Sequence, residues 1–195
     1  CSPNNPTGNS TPVDDIRKIL ESVDCLLFLD CAYSDFSDID YRPLMKDYDN
    51  LVIGKTMSKA FALAGMRVGY AFVPGWCEET FRNAEIPFNM NPVSEAMAVA
   101  ALADRSSLER IREHVRAWRE RFVSEVPFPA YTSESNFVLI DVAPYKGDEM
   151  AAMLADKGVI VRSCTSFTGL GGHFIRVNTG EDWECERFIT AINGI

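Results

Sequence analysis

Three short runs of uninterrupted apolar residues constrain this chain more than any other feature: Cys25 to Leu29, Leu51 to Ile53 and Val68 to Val73. None alternates polar with apolar, so each reads as a strand buried on both faces rather than as one half-wetted by solvent. A helical stripe precedes the first: Val13, Ile16, Ile19, Leu20 and Val23 recur at helical spacing behind the start signal Thr11-Pro12-Val13-Asp14, with Thr11 as cap and Pro12 at the first helical position. Buried strands alternating with helices predict an α/β fold built on a mostly parallel sheet. In such sheets ligands bind beyond the strand ends, where this sequence places polar residues such as Asp30.

The texture changes after Asn91-Pro92. Val93 to Ala103 reads as a helix rich in Ala and Met, and Ser106-Ser107-Leu108-Glu109 as a capping box opening another. Leu108, Ile111, Val115, Trp118 and Phe122 form that helix's apolar stripe, while its arginines interleave with Glu109, Glu113 and Glu120 as a solvated ion-pair face. Strands are predicted at Phe137 to Val142, Val159 to Val161 and Phe174 to Val177, and helices at Asp148 to Lys157 (ended by Gly158) and Asp182 to Ile192. Residues 1–105 therefore form one unit and residues 106–195 a smaller α/β unit, bridged by a helix over about 106–125.

Composition narrows the function classes. A chain of 195 residues with 47% hydrophobic and 24% charged residues can bury a core without disulfides or metals. Its longest apolar runs, such as Met97 to Ala103, are about seven residues, against the roughly 20 that span a bilayer, so no membrane partner is expected. A net charge of −9 argues against a nucleic-acid partner. The six cysteines include no C-x-x-C pair and there are two histidines, so free thiols, a reducing cytoplasmic location and no metal site are expected.

Several tempting motifs fail on their spacing. Gly54-Lys55-Thr56 follows a strand as a phosphate loop would, but the required earlier glycine is Asp49. Gly169-Leu170-Gly171-Gly172 lacks the dinucleotide pattern and reads as a mobile loop, and His173 beside it is not expected to act as a catalytic base. Three other segments are informative together: the turn Ser2-Pro3-Asn4-Asn5-Pro6-Thr7-Gly8; Asp30-Cys31-Ala32-Tyr33 at a strand end; and Thr56-Met57-Ser58-Lys59-Ala60-Phe61 running on through Arg67 to Tyr70. Hydroxyls beside a lysine, with an arginine just past a glycine, suit an anionic group held next to an amine nucleophile.

In that order and at those separations, N-N-P-T-G, D-x-A-Y and S-K-x-F-x-L-A-G-x-R-x-G-Y resemble the fold-type I aminotransferases that use pyridoxal 5'-phosphate, most nearly the histidinol-phosphate aminotransferase branch. Ser135-Asn136-Phe137, Gly158-Val159-Ile160-Val161-Arg162-Ser163 and Ile175-Arg176-Val177 have counterparts there too, so the resemblance covers essentially the whole chain. It implies that Lys59 holds the cofactor as a Schiff base and shuttles a proton. It likewise implies that Asp30 keeps the pyridine nitrogen protonated and that Asn5 and Tyr33 hydrogen-bond the ring's phenolic oxygen. Thr56, Ser58 and Arg67 would hold the phosphate, Arg176 the substrate's carboxylate or its equivalent, and Arg162 a distal anion.

The same resemblance implies a homodimer that moves an amino group between a small-molecule amino donor, histidinol phosphate being favoured, and a 2-oxo acid. Aromatic aminotransferases and threonine-phosphate decarboxylases share these motifs, and a catalytically silent binding or regulatory fragment is the reading from another class. Residues 1–105 would be the C-terminal part of the large cofactor domain and 106–195 the small domain. Cys31 stands where a Glu is common in the branch and Ala62 where a Gly is common. Family members also carry a segment ahead of the N-N-P-T-G turn that stacks on the ring and holds the phosphate. These 195 residues are therefore expected to hold the catalytic lysine without completing a site, and to be inactive alone.

Overall fold

The computed structural model describes all 195 residues, in two compact units: residues 1–3 with 10–112, and residues 4–9 with 113–195. In the first unit, helix α1 (Val13–Ser22) precedes strand β1 (Leu27–Asp30), which pairs in parallel with β2 (Leu51–Thr56), Asp30 opposite Gly54. Strand β3 (Gly69–Phe72) lies antiparallel on the other side of β2, with Gly69 opposite Thr56. One sheet face is sealed by Ile16 and Leu20 of α1 against Leu29, Ile53, Tyr41 and Leu44. On the other, Phe28 is 60% exposed and its ring lies over Gly54, so β1 is not buried on both faces as its apolar run predicts. The run needed one sealed face to form a strand; the residues of this chain supply no second layer over Phe28.

Two helix starts differ from the sequence expectation. Pro12 itself is the cap of α1, without a side-chain cap bond, and the Thr11 amide donates to Ser2 Oγ (2.8 Å). Helices α2 (Glu78–Ala84) and α3 (Pro92–Ala103) follow in this unit, and α4 (Arg105–Glu125) begins in it. Asn91 caps α3 through Ser94 N (2.9 Å). Asp104 rather than Ser106 caps α4: its carboxylate accepts from Ser107 N (3.0 Å) and from both serine hydroxyls, and Ser107's bonds above all hold it at about pKa 2. Along the arginine face, Arg112 pairs with Glu109 (3.4 Å) and Arg121 with Glu125 (2.6 Å).

The division between units falls inside α4, after Arg112. In the second unit β4 (Phe137–Asp141) and the two-residue β5 (Arg162–Ser163) flank β6 (Phe174–Asn178), all antiparallel, with α5 (Gly147–Asp156) and α6 (Asp182–Asn193) in between and after. Val138, Ile140, Ile175 and Val177 present one face of this sheet to Trp118, Phe122, Met150, Leu154, Phe188 and Ile192. Phe122 meets Phe188 edge-on at 5.2 Å. The strand expected at Val159 to Val161 forms later, because Gly158 N and Val159 N still donate to Ala155 and Leu154 carbonyls as the end of α5 (2.8 and 2.9 Å). No helix is long and apolar enough to cross a membrane. All six cysteines are free thiols, four of them buried.

Candidate active site

The predicted site residues fall into two sets, one in each unit. In the first unit, parallel pairing puts the side chain of Asp30 on the same sheet face as Gly54 and hence Thr56, two residues on. Asp30 turns back on itself: its Oδ1 accepts from Ala32 N (3.0 Å), while its carboxylate has no cationic partner. Cys31 N continues the ladder to Gly54 O (2.8 Å) and a 3₁₀ turn over Ser34–Phe36 follows, burying Tyr33. Lys59 Nζ stands 5.4 Å from the Tyr33 ring centroid and has no hydrogen bond or ion pair. An exposed carboxylate thus ends β1, and an unengaged amine beside a phenol stands in the turn that follows the neighbouring strand β2.

The lysine turn is wound tightly. Thr56 Oγ1 accepts from Ser58 N (3.1 Å), Ala62 N donates to Lys59 O and Leu63 N to Met57 O (both 3.0 Å). Closing this turn needs a left-handed residue, and Ala62 takes φ 55° despite its Cβ. Arg67 repeats the conformation (φ 55°, ψ 45°) at the end of the next short turn, its guanidinium exposed with one bond, to Ala64 O (3.0 Å). Non-glycine residues in this region store strain that the surrounding bonds must hold, a feature that gathers at functional sites.

In the second unit the turn Asn4–Asn9 is anchored by Glu134 N donating to Gly8 O (2.7 Å). It presents Asn5 Oδ1 to Arg176 Nη1 (2.5 Å). Arg176 Cζ lies 4.6 Å from the centre of the buried Phe137 ring, and its Nε is buried with no partner. Arg162 is directly opposite Arg176 in the β5–β6 ladder, so both cations lie on one sheet face, and Arg162 donates only to Ser166 Oγ (3.1 Å). Neither meets a carboxylate. Like charges directly opposed destabilise a ladder, and an anion between them reverses the sign.

His173 bonds Tyr145 O (2.9 Å) through Nδ1, and the 169–172 glycines form a loop with two left-handed residues. The place of Phe137 beneath Arg176 and of Ser133 beside Gly8 is not legible in the sequence. Phe137 reads there as the first residue of a strand, and no local pattern marks Ser133. A cavity of about 300 Å³ in the first unit opens on the other sheet face, lined among others by Cys31, Asp35, Lys55 and Arg112. Burial pushes the Cys31 thiol up to about pKa 11.

The donor set suits pyridoxal 5'-phosphate. It contains one unpaired carboxylate for a ring nitrogen, one unengaged amine for an aldehyde, and two hydroxyls with an exposed guanidinium for a phosphate. Comparison with known proteins agrees. The model of the aminotransferase class I and II family matches residues 1–192. Histidinol-phosphate aminotransferase of Methanoculleus marisnigri is 63% identical over 195 residues, all of this chain and 55% of that protein. The crystal structure of the Clostridium acetobutylicum histidinol-phosphate aminotransferase superposes with TM-score 0.93 at 24% identity, over 99% of this chain and 61% of that one. The Sinorhizobium meliloti enzyme, solved in complex with pyridoxal-5'-phosphate, gives TM-score 0.85 at 26% identity, over 99% and 55%. The chain spans about half the length of the curated relatives it matches.

Proposed function

The chain belongs to the class I and II aminotransferase family, and on that premise we propose that the whole protein is a pyridoxal-phosphate-dependent aminotransferase whose favoured amino donor is histidinol phosphate. The observation that carries this reading is Lys59, an amine without hydrogen bond or ion pair set over the Tyr33 ring at 5.4 Å. When bound, the cofactor supplies an aldehyde for covalent capture of an amine and a protonated ring that draws electrons from the amine-bearing carbon. Lys59 Nζ would hold that aldehyde and, once free, would move a proton to and from the substrate carbon. The Asp30 carboxylate would keep a proton on the ring nitrogen, which its lack of any other cationic partner leaves it able to do. The Tyr33 hydroxyl and the Asn5 amide nitrogen would donate to the phenolic oxygen, and Thr56, Ser58 and Arg67 would hold the phosphate.

Arg176 and Arg162 take the substrate's anionic end, because two guanidinium groups opposed on one sheet face suit a dianion. The first unit is then part of the cofactor domain and the second the small domain. A 2-oxo acid is the acceptor, and a cytoplasmic homodimer the working form.

The test uses the full-length protein, purified and assayed for amino transfer from histidinol phosphate to a 2-oxo acid. Aromatic amino acids and O-phosphothreonine decarboxylation serve as competing arms, and Lys59→Ala as control. Preferential use of histidinol phosphate, abolished in Lys59→Ala, is the expected result. Preference for another arm overturns the substrate, and biological function intact in Lys59→Ala overturns the enzyme reading in favour of a binding protein.

A further inference from the structure

The loop that carries Tyr33 is tied to β2 at two points. At one end Cys31 N donates to Gly54 O (2.8 Å). At the other Lys55 Nζ donates to Asp35 Oδ1 (2.6 Å), in an ion pair whose side chains are 15% and 13% exposed. The residues tied are consecutive on β2, and Tyr33 lies midway between the two ties on the loop. Between Tyr33 and Asp35 the 3₁₀ turn leaves little slack: Phe36 N donates to Tyr33 O (3.1 Å), and Ser34 is held to Cys31 O through both its amide and its hydroxyl (3.1 and 3.0 Å). Lys59 lies four residues past Lys55, in the turn that follows the same strand. A closed frame therefore runs from the Tyr33 ring through Asp35, Lys55 and Thr56 to the Lys59 amine above that ring.

We propose that Lys55 and Asp35 are a positioning pair, setting the Tyr33 hydroxyl relative to Lys59 without touching substrate or cofactor themselves. The inference rests on the reading of Lys59 as the cofactor's attachment point. Charge on one side chain of a largely buried pair needs the other, so removing either partner releases the turn rather than weakening it slightly. A simple surface ion pair would leave Tyr33 where it is. The pair lies on the sheet face opposite the one that carries Asp30 and Thr56, since Lys55 alternates with Gly54 and Thr56 along β2. It can therefore act on the site through Tyr33 and not by direct contact.

The test is a double-mutant cycle on the full-length protein loaded with pyridoxal phosphate, reading the pH midpoint of the absorbance of the lysine-bound cofactor. Wild type, Tyr33→Phe, Asp35→Asn and the double variant are compared. Tyr33→Phe is expected to shift the midpoint by about one pH unit, the size of one hydrogen bond to a charged group. Asp35→Asn is expected to shift it the same way by at least half as much, the double variant no further than Tyr33→Phe, and Asp35→Glu to return most of the way to wild type. Additive shifts, or a midpoint unmoved by Asp35→Asn, would overturn the positioning role. Should Asp35→Asn not fold, Lys55→Arg, which keeps the charge and alters its reach, carries the same cycle. A wild-type protein that shows no lysine-bound absorbance refutes the function reading instead, so the two failures are told apart.

Discussion

Gly8 sits where a side chain has neither the room nor the backbone conformation it needs. Its φ is +79°, and a Cβ added there would lie 2.7 Å from Ser133 Cβ, 3.3 Å from Ser133 Cα and closer still to Ser133 Oγ. Forcing Ala into the left-handed region costs roughly 1–2 kcal/mol, and overpacking against a fixed neighbour adds about 1–3 kcal/mol. Gly8→Ala should therefore destabilise the second unit by about 2–5 kcal/mol. Urea unfolding followed through Trp118, which is buried in that unit's core, reads this directly as a lowered midpoint with unchanged slope. Ser133→Gly removes the two closest atoms and leaves Ser133 Cα at 3.3 Å, so it should relieve the steric part and leave the conformational part. On its own it also removes the bond from Ser135 N to Ser133 Oγ (3.0 Å), so the quantity to read is the coupling in the cycle, expected to be at least about 1 kcal/mol in favour of the double variant. A Gly8→Ala loss below about 0.5 kcal/mol, or no coupling with Ser133→Gly, would refute the reasoning. The same change should release Asn5 from Arg176, since the Gly8 carbonyl anchors that turn.

Two further outcomes are expected. Ala62→Gly relieves left-handed strain in the lysine turn and should raise stability by about 0.5–1 kcal/mol after the entropic cost of glycine, whereas Ala62→Val should lower it; urea midpoints decide both. Native protein at pH 8 should expose two of its thiols, Cys1 and Cys25, to a thiol reagent, with the other four reacting after denaturation. Burial raises the Cys31 pKa from 9.0 to about 11, so the stability from keeping that thiol neutral is full below pH 9 and lost as pH rises through 11. Cys31→Ser, which ionises nowhere in that range, should flatten this part of the pH–stability curve.

The sequence carried the class of fold because apolar periodicity and strand-end polarity are local signals. Apolar runs at Leu51 to Ile53 and Phe174 to Val177 became strands where the pattern put them. One miss came where a neighbour took the backbone first, as the end of α5 did at Val159. Asp104 displaced Ser106 as cap because a carboxylate can accept several donors at once. At the candidate site the motifs supplied residue types but not their company. That Lys59 is unengaged over Tyr33, that Asn5 bonds Arg176, and that Arg162 and Arg176 oppose each other depend on pairings across 14 to 171 positions of sequence, which no local pattern encodes. Asp35 and Lys55 look like solvated charges in sequence and become a pair only through the fold.

The central claim, that Lys59 carries the cofactor, is tested most directly by incubating the full-length protein with pyridoxal phosphate, reducing with borohydride and mapping the modified peptide by mass. One pyridoxyl group on Lys59, absent from Lys59→Ala, is the predicted result. Modification spread over exposed lysines such as Lys18 and Lys157 with Lys59 unlabelled would contradict it.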